Sequence, residues 1–352
     1  MNGKVCWWLA PTYQMAMQVW RDLKIFLRTV DHIQISETEH RIDFQNGGVL
    51  AIRSTHSPDN LRGAGLDYAI LDEAAFMAPD VWNTIVRPML LDRRGKALFL
   101  STPYGRNWFW EVFKIGNDPA EPSWQSFRFT SYDNPLIEPD EIDSIRRNTP
   151  DRIFREEYLA EFGDDAGQVF RGVHEAATAP QFAVPDARGR YVMGVDWGRE
   201  NDYTAVVVIE ADSGVMVALD RFNQIGWSLQ RGRLRALVET WSPEVILAEA
   251  NSIGTVNIEA LQNEGLPVRA FMTTSRSKRP LIESLSLAIE RRDIALLPDP
   301  VLLGELASYE AERLSEGGLR YNAPPGAHDD TVIATAIAWN AANSGNVRID
   351  FA

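Results

Sequence analysis

Four acidic residues in the second half of the sequence stand where acids are costly. Asp196 interrupts the apolar run YVMGVDWG, Glu249 interrupts VILAEA, and Asp329 and Asp330 open the apolar stretch TVIATAIAW. A charge in a buried strand is unfavourable unless it is paired or bound to a cation. Few basic residues stand nearby in the sequence, so the set reads as oxygen ligands for a hard divalent cation, Mg2+ or Mn2+. Two such ions about 4 Å apart can activate a water and stabilise the leaving oxygen of a phosphodiester. Taken singly, each acid reads as well as a strand-end or cap residue, Asp329 above all. Asp330 is the stronger ligand candidate of the two, because Ala334, Ile337 and Ala338 share its helical face and would pack toward a sheet. His328 reads as a solvated loop residue or an auxiliary ligand. Asp202 reads as a turn residue or a neighbour of the ligands.

A second acidic pair lies in the first half. YAILDEAAF (68–76) has the form of a Walker B strand, in which Asp72 would hold magnesium and Glu73 would orient or deprotonate the attacking water. LFLSTP (98–103) follows as a strand ending in Ser-Thr, the arrangement that couples nucleotide to nucleic acid. Arg62, ten residues before Asp72, reads either as an arginine finger for a neighbouring subunit's phosphate or as a surface arginine. No G-x-x-x-x-G-K-[ST] occurs. The chain reads as beginning after the segment that would carry that loop, which leaves little to hold a triphosphate.

The elements that must position these residues follow from periodicity. VCWWLA (5–10) reads as a buried strand and Tyr13 to Val30 as a helix. HIQIS, RIDF and VLAIRS read as strands, with a hairpin turn at Asn46-Gly47-Gly48. A helix from Pro79 to Leu91 and the strand KALFLST (96–102) complete a mainly parallel sheet covered on both faces. Two helices, Asp140–Asn148 and Pro150–Phe162, lead into an aperiodic stretch, 163–190. Three strands then precede an alternation of helices (Ser228–Trp241, Thr255–Asn263, Lys278–Arg291 and a last one from His328) with strands at 245–250 and 268–272. The expected division is 1–132, a helical linker region at 133–188, and 189–345.

Composition sets outer limits. The chain has 352 residues, 45% hydrophobic and 24% charged, the profile of a soluble globular protein of about two domains. Its single cysteine, Cys6, excludes a disulfide framework or a Cys-rich zinc site. No apolar run approaches the roughly 20 residues of a membrane span, and the start lacks signal-peptide character. A net charge of −14 opposes general adhesion to nucleic acid while leaving room for a local basic groove. Ser275 to Arg279, SRSKR, reads as a basic loop that contacts phosphates or as a solvated helix start. Arg231, Arg233 and Arg235 read as solubility charges, and Trp7, Trp8 and Trp197 as packing residues.

The element order of the second half resembles the RNase H-like nuclease fold, whose first strand, fourth strand and last helix carry the acids. Asp196, Glu249 and Asp330 fall on those positions. WWLAPTYQMAMQVW, LRGAGLDYAILDEAAF, LFLSTPYGRNWFW, SYDNPLI, EEYLAEFGDDAGQVF, VMGVDWGRENDYTAVVV, VILAEANSIG, SKRPLIESL and APPGAHDDTVIATAIAW, in this order, resemble the large terminase subunit of tailed bacteriophages. The resemblance implies an incomplete P-loop-type ATPase domain followed by a nuclease domain. It implies a prophage or phage packaging motor that cuts double-stranded DNA, with a small terminase subunit, a portal protein and further copies of itself as partners, in the host cytoplasm. It also implies a DNA-facing position for PTYQ (11–14). A resolvase- or helicase-like nuclease, and a motor subunit without chemistry, are the competing functions.

Overall fold

The computed structural model describes residues 3–163, 167–198, 202–250, 254–313 and 319–343. The chain folds as two compact units. The first is built from the chain up to Ile142 together with the segment starting at Ile153; the second takes Asp143–Arg152 and most of the chain from Gly167 onward.

The first unit holds β1 (Val5–Ala10), α1 (Tyr13–Leu27), β2 (Ile33–Ser36), β3 (Arg41–Phe44), β4 (Val49–Ser54), β5 (Tyr68–Asp72), α2 (Arg87–Leu91), β6 (Lys96–Leu100) and α3 (Trp108–Ile115). Its sheet has the order β2-β3-β4-β1-β5-β6. The four strands β4, β1, β5 and β6 run parallel, and β2 and β3 add an antiparallel margin. Gly47, at φ 75°, makes the expected turn between β3 and β4. The expected helix from Pro79 begins with a π-helical turn, Val81–Val86, before α2. The helix α3 escaped periodicity, because WFWEVFKI is apolar nearly throughout.

The strand β6 ends the sheet, with Leu98 and Leu100 exposed at 41% and 40%. A groove of about 530 Å³ runs along it, lined by Leu98, Leu100, Phe113, Phe127 and Phe129 among others.

Two helices follow, α4 (Pro139–Arg147) and α5 (Asp151–Glu157). The second of these is shorter than the expected 150–162, ending before Ala160, whose φ of 49° no helix accommodates.

The second unit holds α6 (Val173–Ala176), β7 (Tyr191–Asp196), β8 (Thr204–Glu210), β9 (Val215–Phe222), α7 (Trp227–Trp241), β10 (Val245–Glu249), α8 (Gly254–Asn263), β11 (Val268–Phe271), α9 (Ser275–Arg291), α10 (Pro300–Ser308), β12 (Glu310–Arg313), β13 (Leu319–Asn322) and α11 (Asp330–Asn343). The main sheet has the order β11-β10-β7-β8-β9. The strands β11, β10 and β7 are parallel; β8 and β9 continue antiparallel. Residues alternate along β7 between two cores. Val192 joins the cluster formed by α9, α10 and α11, while Tyr191, Met193 and Val195 join that of α7 and α8. The sheet is therefore covered on both faces, which is why β7 and β8 are apolar almost without interruption. Asp330 to Ala338 are all buried, so α11 is a central helix rather than an amphipathic surface one.

Candidate functional site

The acids of the second unit are brought together by register. In the pairing of β10 with β7, Ala248 lies opposite Val195, so the next residues, Glu249 and Asp196, end adjacent parallel strands side by side. Asp196 lies two residues beyond Gly194 and so projects to the same face of the sheet. That face is covered by α11 at van der Waals contact: a Cβ on Gly194 would run into the Ala334 carbonyl and the Ala338 amide. One turn back along α11 from Ala334, about 6 Å, lies Asp330; two residues onward from Gly194, about 6.6 Å, lies Asp196. The close approach at Gly194 thus sets the N-terminus of α11 over the end of β7.

The electrostatics follow from that crowding. Asp196 is 9% exposed. Burial pushes its carboxyl well above the ordinary carboxylate range, and its hydrogen bond with Glu249 and the charges of Glu249, Asp330 and Asp329 push it further. Two carboxyl groups that hydrogen-bond each other must share a proton or gain a cation. Asp330, 6% exposed, is pushed up to about 6 by burial and by the charge of Glu305, with Arg221 and His328 pulling the other way. Asp329 precedes α11 and accepts the Ile333 amide through its carbonyl, and its carboxylate lies 3.4 Å from the Lys278 ammonium. The phenol of Tyr309 is held well above its ordinary value by burial and by the Asp329 charge.

Cations and rings line the other side. Arg221, on β9, reaches Glu305 Oε1 at 3.0 Å and Asp330 Oδ2 at 3.4 Å. Its guanidinium lies 3.4 Å from the centre of the Tyr203 ring. Nδ1 of His328 stands 3.8 Å from both Asp202 and Asp330, and its ring meets Tyr203 edge-on. Donor atoms of Asp202, His328 and Asp330 all lie within 4.8 Å of one another, close enough to hold one metal ion. Carboxylate oxygens with one imidazole nitrogen are donors that suit a hard divalent cation, and Asp196, which feels the charges of Glu249, Asp330 and Asp329, lies near this group.

Several expectations change here. The basic stretch 275–279 is no loop but the first turn of α9, capped by Thr274 and Ser277. Where few basic partners were expected nearby, Lys278 and Arg221 reach Asp329 and Asp330 from elements distant in sequence. Arg231, Arg233 and Arg235 are paired one by one, with Asn257, Asp220 and Glu264, because successive odd positions of a helix point to different neighbours. Arg221 and Glu305 were not anticipated: Glu305 is a lone charge in the apolar run VLLGELA, the signal that singled out Asp196, whereas Arg221 stands beside Asp220 in VMVALDRF. The neighbouring residues 199–201 and 251–253, part of two of the quoted motifs, lie outside the described residues.

In the first unit, Asp72 ends β5 and its carboxylate accepts the indole N–H of Trp8 at 3.1 Å, so Trp8 does more than pack. Glu73 follows in the left-handed region, at φ 54°. That conformation is costly for a residue with a side chain. Ser101, just beyond β6, donates to Glu73 at 3.4 Å and accepts the Ala75 amide at 3.2 Å, tying the two strand ends together. Arg62 is exposed and held elsewhere, by Asp59 at 3.5 Å and the Thr84 carbonyl at 3.3 Å.

Comparison with known proteins agrees with both units. Residues 3–176 match the family described as terminase large subunit, T4likevirus-type, N-terminal, and residues 193–341 match the terminase RNaseH-like domain. The large terminase subunit of Thermus virus P23-45 is 34% identical over 313 residues, 82% of this chain and 64% of that protein. The chain thus spans just under two thirds of that relative. The magnesium-bound large terminase nuclease of thermophilic phage G20c is 27% identical and covers 50% of this chain and 98% of its own, with a TM-score of 0.47. The large terminase of a further thermophilic bacteriophage shares the fold over 97% of this chain and 86% of its own, at 15% identity and a TM-score of 0.52. With two successive domain matches over nearly all of its length, the chain belongs to the large terminase subunit family, an α/β protein whose second unit is RNase H-like.

Proposed function

We propose that this chain is a metal-dependent endonuclease that cuts double-stranded DNA during packaging of a phage or prophage genome. The observation that carries the reading is the meeting of Asp196, Glu249 and Asp330 at the ends of β7, β10 and α11. In the proposed site Asp196, Glu249 and Asp330 would hold the cations, with Asp329 assisting. Bound Mg2+ or Mn2+ would supply an activated water and charge stabilisation at the leaving oxygen. The chain's own part is to hold these carboxylates in a part-buried recess, where burial and mutual repulsion disfavour the bare anions.

The proposed organisation is an ATPase-like domain over 1–132, a helical linker region over 133–188 and the nuclease over 189–345. Asp72 and Glu73 are the proposed residues of an ATP-driven translocation site, with Arg62 serving a neighbouring copy. The proposed partners are double-stranded DNA, a small terminase subunit, a portal protein and other copies of the chain, in the host cytoplasm. Among the described residues no helix is long and apolar enough to cross a membrane.

Purified protein with Mg2+ or Mn2+ is expected to nick and linearise plasmid DNA, and Asp196→Ala to abolish cutting. Equal cutting by the variant would remove this reading. A strong preference for branched over linear DNA would replace it with a resolvase-like one.

A further inference from the structure

Resting on that nuclease reading, we propose that Arg221 is a positioning residue: fixed by Glu305 and Tyr203, it holds one oxygen of Asp330 and leaves the other to a divalent cation.

The chain of contacts starts inside α11 itself. Glu305, buried on α10, accepts the amide and the hydroxyl of Thr331 through Oε2, at 2.9 and 2.5 Å. This satisfies a free N–H in the first turn of α11 with a carboxylate, at the end of the helix where negative charge is favoured. The other oxygen of Glu305 accepts from Arg221 at 3.0 Å. The guanidinium is pinned a second time by the ring of Tyr203. Arg221 is therefore held by two groups other than Asp330, and its contact with Asp330 Oδ2 is imposed from outside. The three side chains are 18%, 9% and 8% exposed for Arg221, Glu305 and Asp330, so water screens these contacts little.

The consequence falls on the second oxygen. Both groups that approach the Asp330 carboxylate, Arg221 and His328, do so at Oδ2. No protein donor among the described residues meets Oδ1. An aspartate with one oxygen anchored and one open cannot rotate its carboxylate freely, and the open oxygen is kept for a ligand from outside the protein. Partners that orient metal-binding carboxylates in this way typically contribute ten-fold or more to metal affinity.

The test is titration of the full chain with Mn2+ in the absence of DNA, by calorimetry and by the loss of the free-ion electron paramagnetic resonance signal. Arg221→Leu is expected to weaken Mn2+ binding about ten-fold. Arg221→Lys, which keeps the charge but loses the planar guanidinium lying over the Tyr203 ring, should weaken it as well. Glu305→Gln, nearly isosteric, gives a milder version should the Arg221 variants fold poorly, with a loss smaller than that of Arg221→Leu. Unchanged affinity in folded variants, with only a lower melting temperature, would show a merely structural role and overturn the proposal. Tighter binding would also overturn it, since that is what removing a competing cation would do. If the unaltered protein takes up no Mn2+, the nuclease reading itself fails. If it binds Mn2+ and Arg221→Leu binds it equally well, only the positioning role fails.

Discussion

Replacing Asp330 by Asn should make the protein more stable and less able to bind metal at once. Its carboxyl is raised from 3.8 to about 6. At roughly 1.4 kcal/mol per pKa unit, ionising it in the fold at neutral pH costs roughly 3 kcal/mol more than in solution. Asn removes that cost but also weakens the contact with Arg221, so a net gain of about 1–2 kcal/mol is expected for the metal-free protein. In a unit of this size the gain raises the melting temperature by roughly 2–8 °C. The sign with pH is fixed by the direction of the shift. A carboxyl raised by folding contributes its stability in full below 3.8 and loses it as the pH climbs through about 6. The advantage of the variant should therefore appear at pH 7.5 in a chelator and shrink toward pH 4. Added Mg2+ should raise the melting temperature of the unaltered protein at pH 7.5, since it binds the folded state only, and should leave Asp330→Asn almost unmoved. Scanning calorimetry in chelator and in Mg2+ at both pH values decides the matter. An Asn variant that melts below the unaltered protein in chelator at pH 7.5 would refute the view that these acids are held together against their own repulsion.

Other perturbations reach different parts of the structure. Gly194→Ala places a methyl group against the backbone of α11 and should cost about 1–3 kcal/mol; because it moves that helix off β7, it should also weaken Mg2+-dependent stabilisation, which thermal melts with and without the ion would show. Asp67 is held well below the ordinary carboxylate range by Lys4, the Val5 amide and Arg93. The stability it contributes is present above 3.8 and is lost as the pH falls from there toward its depressed value, so Asp67→Asn should lower the melting temperature at pH 7 and flatten its decline on acidification. Parallel acid curves for the two proteins would count against that role.

Much of this fold was legible because its central elements obey simple periodicities. The strands β7, β8 and β10 are short apolar runs, and α1, α7 and α9 repeat apolar residues at helical spacing. The acids stood out for the same reason: Asp196 and Glu249 break runs that are otherwise apolar. What was not legible depended on contacts far apart in sequence. Lys278 meets Asp329 across 51 positions, and Arg221 meets Asp330 across 109. No local pattern announces such a pairing. The helix α10 and the strands β12 and β13 were missed because Pro300 and short length broke the pattern, although Pro at a first helical turn is a favoured start. Glu305 was lost with α10. The left-handed Glu73 could not be foreseen either, since nothing in its residue type favours that conformation.

The exposed flank of β6 has a practical side. The last strand of the sheet, rimmed by Leu98, Leu100, Phe127 and Phe129, is a template on which an extended polypeptide can lie down. Proteins usually blunt such margins with lysines, prolines or a bulge, and along β6 only Lys96 does so. Preparations at high concentration should accordingly drift into sheet-rich aggregates, visible as thioflavin fluorescence. A lysine in place of Leu98 should delay that loss of material while leaving the carboxylate recess of the second unit untouched.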